Sequence, residues 1–448
     1  MSRAASPLKR REIIDALRIG AVPRRGLELF AVGLDDLAPV LDQELDTVAA
    51  GAGKFKAVRG EYGTGKTFFS RWLEHRARER GFATALVQIS ETDTPLYRLE
   101  TVYRRAVEAL QTKEWGKGAF RALIDKWFYT LEEEVLRGGG VDGSSPAAVA
   151  AAVGSLLEQR LARVSATQPH FAAALRACHT ARVTGDHAVS EGLIAWLMGQ
   201  PNVGAGIKRA ADIKGELDSR GATGFLQGLL EVLKQTGRAG LLLVLDEVET
   251  IQRVRDDSRQ KSLNALRQLI DDLMADRYPG MYVLVTGTPQ FFDGPAGVKR
   301  LQPLAQRLAT RFHADPKYDN FRAVQIRLHP FDMGRMLEVG ERVRDLYPSD
   351  HAERIAARVP NEVIEGLARG VCGQLGGKVG IAPRIFLKHL IDVIDRVDAH
   401  PDYSPTVHED IVIEPSELTD EEAAVAGVTR TVDDIVLDLG DSGGGSLG

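Results

Sequence analysis

Eight consecutive residues, Gly60-Glu61-Tyr62-Gly63-Thr64-Gly65-Lys66-Thr67, satisfy G-x-x-x-x-G-K-[ST]. Each position has a physical task. The glycines let backbone N–H groups wrap phosphate oxygens, and a helix opening near Gly65 aims its positive end at them. Lys66 reaches the β- and γ-phosphates, and the Thr67 hydroxyl faces Mg²⁺. With Phe68 the segment makes a candidate binding site for ATP with Mg²⁺.

A second cluster fits the first. The apolar run 241–245 ends in Asp246 and Glu247. Asp246 is placed to support the Mg²⁺ shell and Glu247 to polarise an attacking water, so Glu247 is the expected catalytic carboxylate of an ATP hydrolase. The plainer alternative makes Asp246 a helix cap and leaves Glu247 solvated. Run 282–286 ends in Thr286, Gly287 and Thr288; Thr286 is the favoured hydroxyl for the γ-phosphate or the water, against ordinary strand-end polarity.

Phosphoryl transfer rewards an added guanidinium. The pattern predicts a helix over 301–312 with Arg307 and Arg311 at i and i+4 on one face. Arg311 is the first candidate for an arginine delivered to a neighbouring subunit, and Arg307 the second; either could be a surface ion-pair residue. Arg384 begins a helix whose apolar face is Ile385, Leu387, Leu390 and Ile391, and could reach the nucleotide or remain solvated.

Those residues need strands and helices to hold them. Strand patterns occur at 56–59, 83–89, 241–245, 282–286 and 323–328, separated by helical stretches, which implies a parallel sheet covered on both faces. The long interval 92–235 is helical, with segments at 99–110, 120–136, 147–164, 171–183 and 225–233. Glycine and proline mark loops at 138–146 and 200–206. Residues 1–330 therefore read as a nucleotide-binding core with an N-terminal helical segment and a helical insert. Residues 331–397 read as an all-helical domain with segments 333–346, 361–370 and 384–397, and 398–448 as an acidic tail.

The 448 residues are 44% hydrophobic and 27% charged, which excludes a fibrous or wholly disordered chain. No apolar run approaches the length of a membrane span or signal peptide, so a cytoplasmic protein without a membrane partner is expected. Cys178 and Cys372 cannot build a disulfide framework or a four-ligand zinc site. The net charge of −5 combines a tail with 13 acidic residues against Arg430 alone and a body of net +7. The insert, with 17 basic and 16 acidic residues, is no basic patch, whereas Lys9-Arg10-Arg11 and 299–327 are richer in cations.

The ordered set of residues 60–67, Asp246-Glu247, Thr286-Gly287-Thr288 and Leu328-His329-Pro330-Phe331 resembles the AAA+ ATPases, especially their origin-recognition and initiator-like branch, over 32–397. The resemblance implies an α/β P-loop NTPase sheet of order 5-1-4-3-2 and a nucleotide between core and helical lid. It also implies Thr286 as sensor 1, Arg311 as finger and Arg384 as sensor 2. More narrowly, 16–27, the glycine-rich loop and Pro383-Arg384-Ile385-Phe386-Leu387 resemble the BrxD-like ATP-binding proteins of BREX anti-phage defence. That implies a defence system, often with a helicase partner. Initiators usually continue into a winged-helix DNA-binding domain; here a tail of 51 residues, 13 of them acidic, follows the lid.

Two functions are expected on this basis. One is an ATP-driven homo-oligomer that acts on DNA or loads a helicase. The other is a nucleotide-gated switch or scaffold that recruits partner proteins without acting on DNA.

Overall fold

The computed structural model describes residues 6–374, 382–406, 413–414 and 417–418. The chain divides into two compact units. The larger comprises Leu34–Gly60 and Lys66–Leu328; the smaller comprises Met1–Gly33, Glu61–Gly65 and His329–Gly448.

The larger unit is built on a five-stranded sheet: β1 (Lys54–Arg59), β2 (Ala83–Gln88), β3 (Leu241–Asp246), β4 (Met281–Gly287) and β5 (Gln325–Arg327). Every pairing is parallel and the order is β2-β3-β4-β1-β5, matching the expected 5-1-4-3-2. Every residue of β3 and β4 is buried. That is why these strands read as continuous apolar runs rather than alternating ones.

A lysine lies inside this core. Lys56, 1% exposed on β1, donates to the carbonyls of Phe321 and Ala323 at 3.0 Å each. It also pairs with Glu44 at 2.7 Å, and Glu44 accepts the Tyr282 hydroxyl of β4 at 2.5 Å. Burial pushes the Lys56 ammonium below the usual lysine range, while Glu44 opposes the shift.

Between β2 and β3 run the helices Leu99–Ala109, Phe120–Arg137, Pro146–Thr167, Pro169–Val183, His187–Leu197, Ala205–Ala210 and Ser219–Gln235. His187–Leu197 and Ala205–Ala210 fall where no helix was assigned from the sequence. The expected 200–206 loop holds over 200–204, and the second helix starts at its last two positions with Gly204 as N-cap. Phe225 organises part of this layer, its ring lying edge-on 5.1 Å from Phe171, 5.0 Å from Trp196 and 5.7 Å from Tyr103. Gly228, one turn on, admits Phe171 so closely that a Cβ would meet the ring at 2.6 Å.

The helix expected over 301–312 stops much earlier, spanning Gln302–Arg307. The following residues are captured by β5. The Gln325 side chain donates to the Leu308 carbonyl, and its backbone N–H donates to Thr310 Oγ1 at 3.3 Å. Phe312 lies under two guanidinium groups, Arg59 at 5.1 Å and Arg327 at 5.0 Å. Arg307 and Arg311 therefore do not share a helix face.

The smaller unit is helical: Pro7–Arg18, Met333–Leu346, Ala352–Arg358, Asn361–Gln374 and Ala382–Ala399. Asp332 caps the second of these by accepting Arg335 N–H at 2.8 Å. Arg18 forks onto Asp395 at 2.8 and 2.9 Å, and Tyr347 donates to the same carboxylate at 2.6 Å. The N-terminal helix is thereby tied to one nearly 380 residues later. Within the basic run, Lys9 pairs with Glu28 at 2.7 Å. The acidic tail carries two apolar runs that could add strands or bind a partner, 411–413 and 435–437; apart from Ile413 they lie outside the described residues.

Candidate functional site at the strand ends

Parallel register brings the chemistry of the larger unit to one end of its sheet. Gln88 pairs with Asp246 at the ends of β2 and β3, and Val58 pairs with Thr286 just before the ends of β1 and β4. Gly60 follows β1 and donates its N–H to the Gly287 carbonyl at 3.1 Å. Carboxyl ends of parallel strands are where open α/β sheets bind ligands.

Residues 61–65 group with the smaller unit. Gly63 and Gly65 have φ of 78° and 86°, a region that glycine enters without Cβ strain. Thr64 closes the turn by donating its hydroxyl to the Glu61 carbonyl at 2.8 Å. Glu61 is exposed and Tyr62 half-buried. The helix Lys66–Glu79 then begins in the larger unit, with Phe68 half-buried on its first turn. Lys66 is 9% exposed and folds back so that Nζ donates to the Gly60 carbonyl at 3.0 Å.

Thr67 Oγ1 lies 3.3 Å from Asp246 Oδ2. A hydroxyl and a carboxylate side by side are hard oxygen donors. Mg²⁺ takes one or two such protein ligands and completes its shell with water and phosphate. No group of three or more His, Cys, Asp or Glu among the described residues forms a cage of its own. The hydroxyl–carboxylate pair is a donor set that could hold Mg²⁺ brought with a phosphate ligand.

Thr286 is fully buried and makes two hydrogen bonds inside the chain. Its hydroxyl donates to Asp246 Oδ1 and accepts the Glu247 N–H at 3.1 Å. A hydroxyl has one proton to give, and here Asp246 receives it. Glu247 sits in the left-handed region at φ 59°, a sharp departure from the strand, and Thr250 Oγ1 donates to its carbonyl at 2.9 Å. Its carboxylate accepts Gln88 Nε2 at 2.8 Å.

Two partners in this row were not assigned from the sequence. Gln88 reads as an ordinary strand-end residue until the β2–β3 register is known. Glu249 lies on the short 3₁₀ turn Val248–Gln252, 4% exposed, with Oε1 3.9 Å from Lys66 Nζ. No other described residue donates a hydrogen bond to either of its oxygens. Burial pushes its carboxyl up to about 7; Lys66 opposes this, while Glu247 and Asp246 add to it. The sequence signal was a third acidic residue two positions after the Asp246-Glu247 pair.

The family model for the BREX system ATP-binding proteins BrxC/D matches residues 5–411. The chain belongs to this family. No curated protein gives a match. Membership of the BrxC/BrxD family carries an ATP-binding role in phage defence. In that light the Gly60–Lys66–Thr67–Asp246 cluster is the candidate ATP site of this family member. No described helix is long and apolar enough to cross a membrane.

The candidate arginines of this BrxC/BrxD-family chain have different surroundings. Arg307 pairs with Asp271 and donates to the Pro303 carbonyl at 2.8 Å. Arg311 is exposed and makes no hydrogen bond or ion pair among the described residues. Arg384, in the smaller unit, donates to the Glu417 carbonyl and lies over Gly20, whose Cβ position is 3.0 Å from its guanidinium. Cys178 and Cys372 are both buried free thiols.

Proposed function

We propose that this chain is an ATP hydrolase with a P-loop NTPase fold of the AAA+ kind. It works in the cytoplasm in BREX-type defence, assembling into a homo-oligomer that acts on DNA or loads a partner helicase. One observation carries the reading: Lys66, Thr67, Asp246 and Glu247, up to 181 residues apart in sequence, converge at the carboxyl ends of β1 and β3. Lys66 receives the β- and γ-phosphates once it leaves the Gly60 carbonyl. Thr67 and Asp246 hold Mg²⁺, which when bound neutralises charge on the β- and γ-oxygens. Glu247 orients and deprotonates the attacking water, with Thr286 fixing the Asp246-Glu247 pair from behind. Arg311, exposed, is the candidate finger for a neighbouring copy, and Arg384 a candidate sensor of the bound nucleotide.

A specific contact favours a second reading. With its carboxylate held by Gln88 at 2.8 Å, Glu247 has a hydrogen-bond partner that competes with the attacking water. That suits a switch that binds ATP and recruits protein partners, hydrolysing slowly until Glu247 is released.

The test is particle mass with and without ATP–Mg²⁺ for the wild type, Glu247→Gln and Lys66→Ala, repeated with single- and double-stranded DNA. The motor reading expects an ATP-dependent oligomer, strongest in Glu247→Gln and missing in Lys66→Ala, that takes up DNA with a steep salt dependence. A monomer that binds ATP and ignores DNA in every arm overturns it in favour of the switch.

A further inference from the structure

Glu249 has no assigned task, and its surroundings do not explain it as a stabilising residue. A carboxylate taken out of water needs hydrogen-bond donors and a well-placed cation. Glu249 has neither in full: no other described residue donates to its oxygens, and its cation, Lys66, stands 3.9 Å off with a hydrogen bond already directed at Gly60. Its turn is fixed by Val248 and Ile251, both buried, and so holds the carboxylate against the one lysine that a nucleotide needs.

We propose that Glu249 is the resident counter-ion of Lys66, standing in for a nucleotide phosphate and competing with it for the ammonium group. The inference rests on the ATP-binding reading above and concerns how that site is regulated. A carboxylate and a phosphate are both oxyanions. When the β- and γ-phosphates arrive, one ammonium serves two anions, and Glu249 loses attraction to Lys66 while meeting new negative charge. Glu249 thus weakens every ligand that reaches Lys66 and no other. It is a positioning residue that sets the affinity of the empty site, and neutralising it tightens binding.

The experiment is isothermal titration calorimetry on the full-length protein at pH 8.5 with EDTA, using ADP and AMP as probes, with AMP affinity read by displacement. The proteins are the wild type, Glu249→Gln and Glu249→Asp, with thermal unfolding of each as a check on folding. The expected result is an ADP affinity about tenfold higher in Glu249→Gln. AMP, whose single phosphate stops short of Lys66, is unchanged, and Glu249→Asp stays near the wild type. Should Glu249→Gln fold poorly, Glu249→Met carries the same expectation. Equal or weaker ADP binding in a folded neutral variant overturns the proposal, as does a gain shared by AMP, which reports a general opening of the site. If wild type and variants alike bind no ADP, the ATP-site reading fails and takes the counter-ion role with it. Wild-type binding without a gain in the variant rejects the counter-ion role alone.

Discussion

Thr286 gives its only hydroxyl proton to Asp246, from the middle strand of the sheet to its neighbour, while the same oxygen accepts the Glu247 N–H. One side chain therefore sets the direction of one carboxylate and the backbone of the next. Thr286→Val keeps the shape and removes both bonds. The expected outcome is a kcat for ATP hydrolysis lower by about 10- to 100-fold with ATP affinity within about twofold, because the damage falls on the reacting geometry rather than on ground-state binding. Thr286→Ser should retain most activity. Steady-state kinetics together with equilibrium ATP binding check this, and a loss of affinity equal to the loss of rate would contradict it.

Gln88 engages the carboxylate of Glu247 from the edge strand. Gln88→Ala releases it. The prediction is a rise of about 3- to 10-fold in basal ATP turnover with little change in KM, read in a phosphate-release assay on the isolated protein. A fall in turnover would instead make Gln88 an orienting partner of Glu247.

Glu249 links stability to pH. Its carboxyl is raised from the ordinary 4.5 to about 7 in the fold by burial, with Lys66, Glu247 and Asp246 the charged groups acting on it. Between pH 4.5 and about 7 the folded protein holds a proton that the unfolded chain has given up, so stability falls as pH rises through this window. Glu249→Gln does not titrate. Relative to the wild type it should gain about 3 kcal/mol between pH 4.5 and pH 8. Urea unfolding at pH 5, 6, 7 and 8 measures the difference, and parallel curves would remove Glu249 from the pH response.

Lys56 is the buried cation under β1, shared by Glu44 and two carbonyls. Lys56→Met strands Glu44 beside Tyr282 and should cost about 3 kcal/mol. Glu44→Leu added to it should recover part of that loss, because an apolar pair of similar volume replaces the ion pair. Chemical denaturation of the two variants is the measurement, and additive losses would show that the pair is not one unit.

Much of the sheet was legible in the sequence because continuous apolar runs and the glycine-rich loop are local signals. β3 at 241–245 and β4 at 282–286 differ from Leu241–Asp246 and Met281–Gly287 only at their ends. What was not legible depends on partners distant in sequence. The helix through Arg307 ends early because Gln325 takes the Leu308 carbonyl, and nothing within 301–312 signals that. Gln88 and Glu249 became visible only when register and a 3₁₀ turn placed them beside Glu247 and Lys66. The tie of Arg18 to Asp395 spans 377 residues, beyond any periodicity.

The seven helices between β2 and β3 also set a clock. Gln88 and Glu247 are bonded to each other yet lie 159 residues apart. A ribosome adding about 5–20 residues per second takes roughly 8–30 s to cover that distance. For that time β2 has emerged without its neighbour, while helix and loop formation run on microseconds or less. The helices can therefore pack among themselves before their flanking strands meet, and the candidate ATP site is among the last parts of the larger unit to close during synthesis.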